Sequence, residues 1–153
     1  MTPAELQRLL LTHLPAIEGV ESARAWPGRT FGLVVRLGGA GAVFWMITGA
    51  SGTAPTRKDA ERLPPQPTPA LAGPRVATAQ VEQALLTALA AGDTDDQVIR
   101  ADRYSTRPAP PAVRYGFTAD CADGWRLFVA CVGTAGRGED LTAERHFHPA
   151  QEV

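Results

Sequence analysis

The residues able to do chemistry are few in this chain, and their spacing separates reactive groups from structural ones. His146 and His148, in the run His-Phe-His, place two imidazoles on one side of an extended segment, the beginning of a zinc site. Such a site needs further ligands, and His13, Cys121 and Cys131, the other histidine and thiols, stand at no recognised metal spacing. No metal ion and no other cofactor is therefore expected. Cys121 and Cys131 flank Asp123-Gly124, a pair suited to a tight hairpin turn. Around that turn Cys121 faces residues 125–126 and Cys131 faces residues 115–116, so the two sulfurs should not meet. They read as small buried hydrophobes.

Other short signals resolve the same way. Gly38-Gly39-Ala40-Gly41 has neither the lysine nor the following helix of a phosphate cradle, and reads as a hairpin turn. Asp93, Asp95 and Asp96 lack the remaining ligands of a calcium loop and read as a solvated turn. His13 falls on the apolar stripe of the first predicted helix. As a general base it needs a nucleophile or carboxylate within reach, and the sequence identifies none. It reads as a core histidine, worth watching because the second half has Ala88 in its place. No catalytic, cofactor-binding or metal residue is assigned.

Arginine is the more extensive signal: of 15 basic residues only Lys58 is a lysine. Arg24, Arg36, Arg100, Arg103, Arg114 and Arg126 are interleaved on predicted strands with Trp26, Tyr104, Tyr115 and Trp125. A sheet face of this kind can stack bases and pair phosphates. Yet Glu21, Asp102, Asp120 and Asp123 share the same strands and the net charge is −1, which makes a solvated face the plainer reading. The favoured function is a non-enzymatic binding or regulatory module, chaperone-like or immunity-type, acting on a protein partner or on itself as a homodimer. Trp26, Arg36, Tyr104, Arg114 and Arg126 are its candidate surface. Nucleic-acid binding through the same residues is the second reading, and a small-ligand or enzymatic groove near His13 the third.

The elements that must position these residues repeat. Thr2 and Glu5 form a capping box around Pro3, and Leu6, Leu9, Leu10 and Leu14 lie on one helical stripe that Pro15 should end. With Thr78 as N-cap and Gly92 as stop, a second helix carries Val81, Ala84, Leu85 and Leu89, the same stripe 75 positions on. Three strands follow each helix. Val20–Trp26 aligns with Val98–Tyr104, and Phe31-Gly32-Leu33 with Tyr115-Gly116-Phe117. In the fifth strand, residues 113–121, Val113, Tyr115, Phe117, Ala119 and Cys121 alternate with polar neighbours, the signature of a half-buried strand. The third strands, Val43–Ile47 and Leu127–Val132, are apolar on both faces and should lie inside a sheet.

The expected fold class is therefore α+β, a tandem duplication of an α-β-β-β unit with antiparallel sheets, either one six-stranded sheet or two lobes. Residues 1–52 form the first unit, 53–77 a Pro-rich linker or strap, 78–136 the second unit and 137–153 a polar tail. Short helical turns are expected at residues 57–63 and 141–147. No run approaches the roughly 20 apolar residues of a membrane span, so no membrane partner is expected. A cytoplasmic location with reduced thiols follows.

Overall fold

The computed structural model describes residues 1–54, 63–109, 112–139 and 151–153. Lys58, the short helices expected at residues 57–63 and 141–147, and the His146/His148 pair fall wholly or largely outside them. The element order is α1 (Pro3–His13), a 3-10 turn (Leu14–Ala16), β1 (Val20–Ala25), β2 (Gly32–Leu37), β3 (Ala42–Ala50), α2 (Thr78–Gly92), β4 (Val98–Arg103), β5 (Gly116–Cys121) and β6 (Arg126–Ala135).

One antiparallel sheet of six strands runs β1-β2-β3-β6-β5-β4, with the two apolar strands β3 and β6 paired at its centre. Both lie where strands apolar on two faces must lie. The hairpin β5–β6 turns at Asp123-Gly124 as expected. Gly124 has φ +87°, and the Cys121 N–H donates to the Trp125 carbonyl at 2.8 Å. Cys131 N–H donates to Tyr115 O, so the two thiols sit apart, and both are free and buried.

The helices cover one face. Leu6, Leu10 and Leu14 of the first half and Val81, Ala84, Leu85, Ala88 and Leu89 of the second join Leu33, Val35, Trp45, Ile47, Phe117, Leu127 and Val129 in one core. The capping box at Thr2 and Glu5 forms with both of its bonds. α2 is buried nearly all round, its outer side covered too: Leu63, Leu71 and Val76 of the Pro-rich segment are buried in the same core. The Thr87 hydroxyl reaches Pro67 O at 3.1 Å and Gln83 Nε2 reaches Gln66 Oε1 at 3.4 Å.

Three local expectations are corrected. Thr78 is the first residue of α2, and Ala77 is its N-cap without a side-chain bond. The reason is a bridge: Ala77 pairs with Glu152, and Thr78 N–H donates to Gln151 O at 2.8 Å, fixing extended geometry one residue early. β5 begins at Gly116, not Val113, which is exposed. Gly116 adopts φ +146°, and a Cβ there would collide with the Val129 carbonyl oxygen. Asp93 is not solvated: it is buried as the C-cap of α2, its carboxylate accepting from Gln97 N–H at 2.9 Å and Val98 N–H at 2.8 Å.

A candidate binding cleft on the open face of the sheet

Alternation along each strand divides the sheet's side chains between the helix-covered face and an open face, and cross-strand partners share a face. On the open side of the first half, Trp26, Val34, Ala42, Phe44 and Ala135 form a second, small apolar cluster with Met46 and Val132 packed against it. The Trp26 and Phe44 rings meet at a centroid distance of 5.1 Å and an angle of 60°.

On the open side of the second half the same rows are polar. The register sets Arg100 beside Asp120 and Asp120 beside Arg126, with Asp102, Thr118 and Phe128 forming the next row. Together with Arg107 these residues line a cleft of about 310 Å³. Asp120 is buried, and Arg126 grips it with two bonds, Nε to Oδ1 at 2.6 Å and Nη2 to Oδ2 at 3.2 Å. That bond and the charge behind it raise the Arg126 pKa further above its ordinary value. Arg107 Nη2 donates to Asp102 Oδ2 at 2.6 Å, and its guanidinium also stacks 4.4 Å from the centre of the Tyr104 ring. Tyr104 is buried below, its hydroxyl 2.8 Å from Thr118 Oγ1. Arg100, exposed, has no ion pair among the described residues.

Beneath this cleft, on the helix side, Glu82 is a fully buried carboxylate. Arg103 Nε and the Ser105 hydroxyl donate to Oε2, while Gly116 N–H, at 2.6 Å, and Ser105 N–H, at 3.2 Å, donate to Oε1. Arg103 further donates to Gln83 Oε1 at 2.6 Å and to the Ala79 carbonyl. The network ties the start of α2 to the ends of β4 and β5, and so fixes the backbone carrying Tyr104, Arg107 and Thr118.

The candidate residues from the sequence are therefore dispersed. Arg126 lines the cleft and Tyr104 lies under it. Trp26 is buried in the small apolar cluster with Arg29 stacked 5.3 Å from its ring centre. Arg36, paired in register with Ala42, sits at the far end of the open face. Arg114 stacks 5.7 Å from the Tyr115 ring centre and lines a separate cavity of about 270 Å³ with Ser105 and Arg107. The continuous Arg/aromatic face does not form, since Arg103 and Tyr115 point to the helix side. His13, half-buried, packs where a Cβ on Gly92 would fall, and no carboxylate pairs with it among the described residues. Glu82 and Arg107 were missed. The signal for Glu82 is that it is the one charged residue of α2. For Arg107 it was the spacing Tyr104-x-x-Arg107 matching Trp26-x-x-Arg29.

Among the described residues no group of three or more His, Cys, Asp or Glu side chains is placed to hold a metal ion, and no helix is long and apolar enough to cross a membrane. No protein-family model matches the chain, and no curated protein or solved structure is significantly similar to it.

Proposed function

We propose that this chain is a non-catalytic binding module that holds a protein partner, either another protein or a second copy of itself, against the open face of its second half. The observation that carries the reading is the cleft between Arg100, Arg107, Arg126, Asp102 and Asp120, cut into the sheet face that the helices leave uncovered. Its lining alternates in sign, as a protein surface does. A nucleic-acid backbone presents only negative charge and would meet Asp102 and Asp120 unfavourably. The positions are held before any partner arrives, because Arg126, Arg107 and Tyr104 are each fixed by a bond or stack within the protein. Such preorganisation lowers the ordering cost of association.

Two further elements belong to the reading. The mirrored strand order and the paired turns, Arg29 over Trp26 and Arg107 over Tyr104, support an origin of the halves by duplication of one αβββ unit. Two buried free thiols support residence in a reducing compartment such as the cytoplasm.

The test is affinity capture from the native source with three baits: the wild type, Phe128→Asp on the open face, and Arg8→Glu on the exposed side of α1. A partner retained by the wild type and Arg8→Glu but lost by Phe128→Asp supports the reading. Retention of every captured protein by Phe128→Asp overturns it, as does salt-sensitive capture of nucleic acid alone.

A further inference from the structure

The cleft has a charge imbalance that assigns its ligand. Three guanidinium groups (Arg100, Arg107, Arg126) face two carboxylates (Asp102, Asp120), leaving one positive charge in excess. The surplus is localised. Arg126 spends its Nε and Nη2 donors on Asp120, and Arg107 donates to Asp102. Arg100 lies next to Asp120 in the register, yet both oxygens of that carboxylate already accept from Arg126. Its guanidinium lines the cleft and donates to no group among the described residues, which leaves its planar fork to take a carboxylate by two parallel bonds.

We infer that the cleft binds a single glutamate or aspartate side chain in an extended, otherwise uncharged segment of the partner protein, with Arg100 as the residue that receives the carboxylate. This rests on the protein-partner reading above and names the chemistry of its site. The neighbouring groups fit a peptide. Asp102, about two-fifths exposed, accepts a backbone N–H beside the captured side chain, the Thr118 hydroxyl adds a second polar contact, and Phe128 supports the aliphatic stem. A volume of about 310 Å³ holds one such side chain with its flanking backbone. A phosphate-rich ligand fits less well, because each additional negative group would approach Asp102.

The experiment is a titration of ¹⁵N-labelled protein with a capped Ala-Ala-Glu-Ala-Ala peptide, its Ala-Ala-Gln-Ala-Ala counterpart, inorganic phosphate and a short oligothymidylate. Saturable shifts are expected at the amides of residues 100, 102, 118, 120, 126 and 128 with the glutamate peptide. The glutamine peptide should cause none. Arg100→Gln, a surface change that leaves the core untouched, should weaken the glutamate peptide about tenfold, the loss of one charge-assisted contact. Three outcomes overturn the inference: no shifts with the glutamate peptide, equal affinity in Arg100→Gln, or tighter binding of phosphate or oligothymidylate at the same amides. If captured partners still depend on Phe128 while the peptide fails, this inference falls and the broader function stands. If capture is also independent of Phe128, both fall.

Discussion

Gln7 and Glu82 occupy the same position of the two helices, and each reaches the glycine that opens the second strand of its half, with opposite hydrogen-bond polarity. Gln7 Nε2 donates to the Gly32 carbonyl at 2.9 Å; Glu82 Oε1 accepts from the Gly116 N–H at 2.6 Å. The carboxylate of Glu82 also draws in Arg103 and Ser105 as donors. Where the first half has one bond between neutral groups, the second has a charged network.

The two sites should differ accordingly in energy. Gln7→Ala removes a single hydrogen bond and is expected to cost about 1 kcal/mol. Glu82→Ala leaves Arg103 without its buried partner and should cost about 3–5 kcal/mol. Urea denaturation of both variants checks the ordering, and equal losses would contradict the network.

Gly116 should be intolerant of any side chain. Its φ of +146° and the Val129 carbonyl beside it leave no room for a Cβ, so Gly116→Ala is expected to lose about 2–3 kcal/mol. Gly38→Ala is the control, because nothing lies within 4 Å of the added methyl. Thermal melts of the pair give the comparison.

The thiols should be inert in the native protein. Burial raises the pKa of Cys121 and of Cys131 to about 12, from an ordinary 9.0. A thiol reagent at pH 8 is expected to modify neither until denaturant is added. Because the unfolded thiols ionise first, stability should also decline as pH climbs from about 9 towards 12. Replacing both cysteines with alanine should flatten that decline, whatever it does to the midpoint at neutral pH.

On the acid side the sign reverses. Hydrogen bonds from the Thr2 N–H and then its hydroxyl hold Glu5 below 4.5. Asp123 is opposed by its own burial, but bonds from the N-terminal ammonium and the Trp125 N–H outweigh this and hold it below 3.8. A carboxylate with a depressed folded-state pKa contributes stability above its unfolded value and loses it as pH falls through the folded one. Melting temperature should therefore drop below about pH 4, and Glu5→Gln should show a shallower drop.

The sequence made the elements legible because each had a local cause: the capping box, the Pro3 start, the Asp123-Gly124 turn, the alternation along β5 and the two-faced apolarity of β3 and β6. It did not make the cleft legible. Whether Arg103 and Arg126 belong to one surface depends on strand phase and on a helix packed across the sheet. A lone Glu82 gives no local sign that four donors will converge on it. The start of α2 lies one residue from the position its sequence implies for a related reason, since its geometry is set by Gln151 and Glu152, far along the chain.

The central pairing of β3 with β6 has a consequence for the protein's synthesis. β3 ends at Ala50 and its partner runs to Ala135, so during translation the nine apolar-rich residues of β3 wait for some 85 more to be made. At about 5–20 residues per second this is roughly 4–17 seconds. Through that interval the first half presents a long bare strand edge, the kind that pairs with neighbouring chains when many are made at once. Expression yield should therefore depend more on the rate of synthesis than the finished, edge-to-edge sheet would suggest.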